Sequence, residues 1–560
     1  MGDARPGRVA GYQAAGRHWT HWVVVDVGVD AFVLHGTFKP GRGVAGVGWL
    51  EMNGSKVVER IARALAGAGS RRGVLGAGLA ALAGAAGAEN GAAKRTRCRA
   101  GRTRCGKKCR NLRTDRKACG RCGVRCGAGE RCDAGRCCPN GQTNCGGWCS
   151  ATCEGNAPRR PFPQRTGGIV PYPGAVHAVT VRTQAQQDDD VRAAYDRWKG
   201  RYLVRQVVRG EVRYWVRHGK RKHEQGWDKE TVSEGMGYGM ILAAHMAGYD
   251  PRAREIFDGL WRFARAYPSD IDRRLMQWKV RPGGKDLSND SAFDGDCDMA
   301  YALLLAEAQW GNDGAIHYRQ AFDRLVAGIE AATIGPQSAY PLLGDWVKPN
   351  GWNAGDPYTQ WTARTSDFMP GHFRAFRRAT QRAVWDRALN ATQDVVDALQ
   401  ANHSPETGLL PDFVQPVSGA NTDPRPAAPR FLESDHDGHY YYNAGRVPWR
   451  LGTDALLNGD SRSRAQALKM TAWARGVTGG DPQRLRAGYT LAGAPVTGGD
   501  YFTSFFAAPF AVAAMLDPDG DDWLDAVYGV VRARVEDYYE DTVALLCLLV
   551  MTGNFWDPAG

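Results

Sequence analysis

Two stretches of this chain put carboxyl groups where they could do chemistry. The first is Thr231 to Asp250, T-V-S-E-G-M-G-Y-G-M-I-L-A-A-H-M-A-G-Y-D. Ser233 and Glu234 read as a polar cap opening a helix, because their oxygens can accept from its orphan N–H groups. Met236, Met240, Ala243, Ala244 and Ala247 then recur at helical spacing. Gly235, Gly237 and Gly239 each cost a helix about 1 kcal/mol relative to alanine. Their density beside one carboxylate predicts either room for a large ligand or tight packing on a neighbouring helix. The second stretch is S-A-F-D-G-D-C-D-M-A-Y, residues 291–301. Asp294, Asp296 and Asp298 could cap the apolar helix that follows, supply hard oxygens to calcium, or turn one carboxylate, Asp294, onto sugar hydroxyls.

The elements that must hold these groups are helical. From about residue 184 onward the pattern predicts twelve helices: 187–203, 233–248, 251–266, 294–311, 314–333, 366–379, 382–402, 443–458, 462–477, 501–515, 520–535 and 540–552, with few strand signals. Helices this short need mutual packing, and a dozen with one apolar face each suit hairpins closing into a toroid. The fold expected is all-α. His245, in mid-helix, reads as a core histidine and not a ligand.

The first 170 residues are different. Residues 1–51 read as a non-native or dispensable upstream extension, because Met52 begins a more sensible start. Ser70-Arg71-Arg72, an uncharged Gly/Ala/Leu run and Ala86-Gly87-Ala88 make the 52–88 region a twin-arginine export signal, too short and glycine-rich to span a membrane. Twelve of the 14 cysteines lie between Cys98 and Cys153. They define a basic module over 94–155, held by disulfides because it has too few large apolar residues for a core. Cys119-x-x-Cys122 could begin a zinc site, but no histidine accompanies it. Cys297 and Cys547 read as buried free thiols. Residues 94–165 hold 19 Lys+Arg and 4 Asp+Glu, a balance of +15 against +13 for the whole chain, which leaves the rest at −2. The basicity belongs to one segment, and Pro-rich residues 156–170 read as its linker to a domain at 171–560.

Five blocks in that domain resemble glycoside hydrolase family 8: T-V-S-E-G-M-G-Y-G-M, A-F-D-G-D-C-D-M-A-Y, Ser366 to Phe373 (S-D-F-M-P-G-H-F), Gly408 to Phe413 (G-L-L-P-D-F), and Tyr441 to Arg450 (Y-Y-N-A-G-R-V-P-W-R). The resemblance implies an (α/α)6 barrel and inverting endo-hydrolysis of β-linked polysaccharide such as cellulose, mixed-linkage glucan, xylan or chitosan. It makes Glu234 the general acid and places Asp294, Tyr442 and Arg446 around the distorted sugar. At 443, where one branch of the family carries an aspartate base, this chain has Asn443, an amide that cannot take a proton from water. The branch with asparagine there, which includes chitosanases and β-1,3-1,4-glucanases, uses a glutamate from an inserted loop. Here the loop 414–441 offers Glu433, with Asp435 and Asp437 as alternatives; Asp435 and Asn443 are also expected among the substrate-binding residues.

Trp278, Trp346, Trp352 and Trp361, in loops, are candidates to stack on sugar faces. The domain has no phosphate loop, nucleotide fingerprint or metal-ligand spacing. The expectation is therefore a secreted, monomeric enzyme without metal or cofactor, acting on polysaccharide, with no nucleic-acid partner and no membrane insertion once its signal is removed. The competing class is a secreted carbohydrate-binding or adhesion protein built on the same barrel without catalysis.

Overall fold

The computed structural model describes residues 19–26, 31–38, 98, 102–106, 108–120, 122–133, 136–144, 149–150, 157–164, 172–219, 226–283, 287–351 and 357–558. The chain forms two compact units, 1–96 and 97–560. In the first, β1 (Trp19–Asp26) pairs antiparallel with β2 (Ala31–Phe38). The signal region at 52–88 lies outside the described residues, as do Cys145, Cys153 and Trp352.

In the second unit the described residues of the cysteine module form three short antiparallel pairs: β3 (Thr103–Cys105) with β4 (Lys108–Arg110), β5 (Glu130–Asp133) with β6 (Arg136–Pro139), and the two-residue strands Thr143–Asn144 and Cys149–Ser150. Cross-links hold the first two pairs: Cys98–Cys109, Cys105–Cys122, Cys119–Cys132 and Cys126–Cys137. The zinc alternative fails because Cys119 and Cys122 are each spent on a different disulfide. Cys297 and Cys547 are free and buried, as their apolar helices led us to expect.

The large domain is an (α/α)6 barrel. Among the described residues its twelve helices alternate between an outer and an inner ring. The outer ring is α1 (Gln184–Tyr202), α3 (Ala253–Ala266), α5 (Tyr318–Ala332), α7 (Val384–Asn402), α9 (Ser461–Thr478) and α11 (Asp521–Val531). The inner ring is α2 (Ser233–His245), α4 (Phe293–Trp310), α6 (Pro370–Thr380), α8 (Val447–Asn458), α10 (Ala508–Ala514) and α12 (Tyr538–Met551). Each inner helix touches the next, and α12 returns to α2 to close the ring. Almost every residue of α2, α4, α10 and α12 is buried, so these helices are enclosed on all sides and could not stand alone.

One hairpin escaped the helical reading. β7 (Leu203–Val208) and β8 (Glu211–Val216) are rich in valine and pair antiparallel across a turn at Arg209 and Gly210, both at positive φ. The proline-rich stretch is also not a free linker. Phe162 is in the barrel core, its N–H donating to Ala247 O at 2.7 Å, and the Arg160 guanidinium lies 4.7 Å from the Trp556 ring centre.

The three glycines of α2 serve packing, not ligand entry. A Cβ on Gly237 would lie 2.6 Å from Asp298 Cβ, and one on Gly239 would lie 2.9 Å from Val216 Cγ2. In the other direction, a Cβ on Gly295 of α4 would lie 2.3 Å from Ser233 Oγ. The two inner helices therefore touch through glycine on both sides. Gly237→Ala should lower stability by about 2 kcal/mol despite alanine's better helix propensity, because overpacking a rigid contact outweighs it. A thermal unfolding midpoint equal to that of the unsubstituted protein would contradict this packing.

Candidate active site

The first turns of α2 and α4, the segments just before α6 and α8, and the first turn of α12 meet at one end of the barrel. They open on a cleft of about 520 Å³. Glu234, Asp294, Glu433, Tyr442, Asn443, Arg446 and Trp278 line it together, although they lie up to 212 residues apart along the chain. The N-terminal ends of helices carry partial positive charge, which suits the carboxylates of Glu234 and Asp294 in their first turns. Ser233 does not cap α2: the cap is Val232, in extended conformation and without a side-chain bond, and Ser233 N–H donates to Trp278 O at 2.8 Å.

Arg446 is the hub. Its side chain is 1% exposed. Nη1 donates to Glu234 Oε2 at 2.6 Å, Asp294 Oδ2 at 3.0 Å and Tyr238 Oη at 3.1 Å. Nη2 donates to Ser366 Oγ at 2.7 Å and Asn443 Oδ1 at 3.3 Å. One guanidinium thus faces two carboxyl groups. Burial pushes the Glu234 carboxyl up to about 7, the Arg446 charge pulls against that, and Asp294 adds to the rise. Tyr538 Oη lies 3.3 Å from Glu234 Oε1, the oxygen that Arg446 leaves free to carry a proton. A Cβ on Gly235 would lie 2.6 Å from that hydroxyl, so the glycine admits Tyr538 to the acid.

Glu433 stands on the inserted loop with its side chain 45% exposed. Arg364 Nη2 donates to its Oε1 at 2.7 Å, and Asn443 Nδ2 donates to its Oε2 at 2.8 Å. Asn443 therefore joins the two sides of the cleft, accepting from Arg446 and donating to Glu433. Behind it, buried Asp412 accepts the N–H groups of Tyr441, Asn443 and Ala444 on Oδ1, at 3.0, 3.1 and 2.7 Å.

The two alternatives to Glu433 are placed elsewhere. Asp437 is fully buried and accepts N–H bonds from Leu432, Glu433 and Ser434 at 2.7, 2.9 and 2.8 Å. It anchors the loop and has no face toward the cleft. Asp435, expected among the sugar-binding residues, does not line the cleft: it pairs with Arg430 in solvent, and both side chains are mostly exposed.

Trp346 does not line it either. Its ring packs edge-on against Tyr358, centres 5.0 Å apart, in a satellite apolar cluster with Phe413 and Phe431. Trp361 packs edge-on against Tyr340. Trp278 lines the cleft, 40% exposed. Tyr442 stacks on Phe505 at 5.4 Å, which fixes its ring at the cleft wall.

The acidic block divides its labour. Asp294 faces the cleft, Asp296 accepts Met276 N–H at 3.0 Å, and Asp298 receives both Arg450 nitrogens at 2.9 and 2.7 Å and contacts His372 at 2.8 Å. The three carboxylates do not converge, so the calcium reading does not hold. Arg450 and His372 hold the Asp298 carboxyl down to about 2 despite its burial. His245 is a satisfied core histidine: Nδ1 meets Ile241 O at 2.9 Å, Trp556 N–H donates to Nε2, and burial pushes it down to about 4.

Sequence reasoning passed over Arg364, Asp412, Tyr538, Tyr539, Asp537 and Glu540. Asp412 was within reach, as the acid of the G-L-L-P-D-F block. The others carry no local pattern that marks them.

A cleft with two carboxyl groups in contrasting environments and aromatic walls is what glycoside hydrolysis requires, and comparison with known proteins agrees. The family model described as glycosyl hydrolases family 8 matches residues 171–553. A β-glucanase of Niallia circulans is 39% identical over 71% of this chain and 92% of its own length. An endoglucanase of Bacillus sp. strain KSM-330 is 35% identical over 71% of this chain and 82% of its own. The apo structure of a β-1,3-1,4-glucanase from Paenibacillus sp. X4 superposes with TM-score 0.65 at 36% identity, covering 72% of this chain and all of that one. The chain belongs to glycoside hydrolase family 8. It is a glycoside hydrolase, and the reading as a carbohydrate-binding protein without catalysis is set aside.

If Glu234 serves as the proton donor, a carboxyl that burial pushes up to about 7 sets the alkaline limit of activity. Below that pH Glu234 is protonated, and as pH rises through it the proton is lost. The hydrolysis rate should therefore fall with a midpoint near pH 7, and a pH–rate profile flat to pH 9 would contradict the assignment of this group.

Proposed function

We propose that this chain is an exported, inverting endo-β-glycanase acting on β-1,4-linked glucan, with mixed-linkage β-glucan as the favoured substrate. Glu234 donates its proton to the glycosidic oxygen. Glu433 takes a proton from a water that attacks the anomeric carbon from the opposite face, and the product forms as the α-anomer. Inversion needs about 6.5–9.5 Å between the two carboxyl groups, enough for that water. The observation that carries this reading is that Glu234 and Glu433 face one cleft from opposite partners of the Arg446–Asn443 bridge, one mostly buried and one half in solvent.

The neighbours fit these roles. Asp294 accepts sugar hydroxyls while Arg446 holds it in place. Trp278 offers a flat apolar face to a sugar ring. Arg364 donates to Glu433 Oε1 and fixes that side of the carboxyl group against the cleft wall. Asn443 positions that base and takes no proton itself.

Mixed-linkage glucan is favoured by the likeness to a β-1,3-1,4-glucanase structure at 36% identity. Chitosan is the second reading, because five carboxyl groups (Glu234, Asp294, Glu433, Asp537, Glu540) line the cleft against two guanidinium groups. The disulfide module and the twin-arginine sequence support export, since such cross-links persist in oxidising compartments.

Glu234→Gln should lower turnover by about 10²–10⁴ with the fold intact, and unchanged hydrolysis would defeat the reading. Glu433→Gln should do the same while sparing substrate affinity. Proton NMR of the first product should show the α-anomer, and a β-anomer would exclude inversion. Reducing-sugar release measured in parallel from lichenan, carboxymethylcellulose, chitosan and xylan names the substrate, and release confined to xylan would overturn the glucan assignment.

A further inference from the structure

The cysteine module has no part in the chemistry above, and the family match begins only at residue 171. Its charge is arranged with a direction. Residues 98–153 carry 13 Lys+Arg against 3 Asp+Glu. From Asn111 the backbone winds through tight turns, Asp115 N–H donating to Asn111 O at 2.8 Å and Ala118 N–H to Asp115 O at 2.9 Å. Arg113, Arg116 and Lys117 stand on these turns, and all three are exposed. Cys126 N–H donates to Arg116 O at 2.9 Å and Arg116 Nη2 to Gly127 O at 2.9 Å, which brings exposed Arg125 beside them. The disulfides Cys119–Cys132 and Cys126–Cys137 fasten both strands of this cluster.

The acids are turned the other way, onto the module's own donors. Asp115 accepts Lys117 N–H at 2.8 Å and Arg110 Nη1 at 2.8 Å, and these two bonds, the backbone one first, hold its carboxyl below the usual range. Glu130 Oε2 accepts Gly127 N–H at 2.7 Å. Asp133 lies within 4.0 Å of Arg131. Four cations thus face outward from a cross-linked frame that loses little entropy when it binds.

We infer that this face binds a carboxylate-bearing, anionic polysaccharide and tethers the hydrolase to it. Guanidinium forks match carboxylates, and a row of spaced charges matches a polymer better than a small anion. The module is poorly made for the other polyanions. It has one aromatic residue, Trp148, too few to stack on successive bases. Its large apolar side chains among the described residues, Leu112 and Val124, are half-buried and offer nothing to a lipid interior.

The test uses the full chain on immobilised polygalacturonate at about 0.15 M salt, where screening already weakens diffuse attraction. The combined variant Arg113→Ser, Lys117→Ser, Arg125→Ser should bind about tenfold more weakly, and adding Arg116→Ser should weaken it further. Rates on soluble lichenan should be unchanged, and the number of disulfides counted by mass should stay the same, which separates lost charge from a misfolded module. A control replacing exposed Arg197, Arg273, Arg324 and Arg387 of the barrel with serine should retain full binding. Equal weakening in that control, or undiminished binding in the module variants, would overturn the proposal. Tighter binding to double-stranded DNA than to polygalacturonate at the same salt would also overturn it.

Discussion

Everything at the open end of this barrel depends on one buried cation shared between two acids. Arg446 contributes a single positive charge to Glu234 and Asp294, both of which it touches through the same nitrogen. If both acids were ionised, a net negative charge would be left in a partly desolvated pocket. A proton retained on Glu234 removes it, which is why burial prevails over the arginine and the carboxyl is pushed up to about 7. Withdrawing Arg446 would remove the hold on Asp294, and withdrawing Asp294 would relieve the pressure that keeps Glu234 protonated. The acid is made by its surroundings.

A guanidinium can occupy that place only if the inner helices stand close enough to enclose it. The glycine contacts between α2 and α4 supply the closeness, and the Asp298–Arg450–His372 cluster below supplies a second fixed polar layer. Asp298 comes from the acidic block, Arg450 from the tyrosine block and His372 from the S-D-F-M-P-G-H-F block. Their meeting locks three inner helices at one level of the ring. The opposite wall is held by different means. Two buried carboxylates, Asp412 and Asp437, each gather three consecutive or near-consecutive N–H groups, one behind Asn443 and one behind Glu433. A loop that would otherwise be free to move is thereby given a rigid backbone under an exposed carboxylate.

The same residue types divide into cleft groups and anchors for reasons that burial decides. Among five loop and block acids, Glu433 and Asp294 face the cleft, while Asp412, Asp437 and Asp298 are consumed by N–H or guanidinium donors. Asp435, two residues from Glu433, is lost to solvent and Arg430. Likewise Trp278 lies open to the cleft, whereas Trp346 is turned into a satellite cluster.

The amino-acid sequence by itself marked the twelve helices, amphipathic ones by local period-3.6 patterning and the all-round buried α2, α4, α10 and α12 by their apolar runs, and it determined the T-V-S-E-G-M-G-Y-G-M block, the asparagine at 443 and the disulfide character of the module, because those depend on residue identity alone. It led us astray where a residue's role depends on what stands opposite. The α2 glycines could mean an opening or a contact until α4 was seen against them, Ser233 looked like a cap until its backbone was found paired with Trp278, and three aspartates at alternate positions looked alike until three different partners claimed them. Arg364 and Tyr538 were invisible in advance: Arg364 stands just before the S-D-F-M-P-G-H-F block and Tyr538 far from any block, and neither carries a local pattern that marks it. Tertiary structure alone decided which carboxyl is buried, which is shared and which is wet, because desolvation and pairing are properties of a place in the fold and not of a position along the polypeptide.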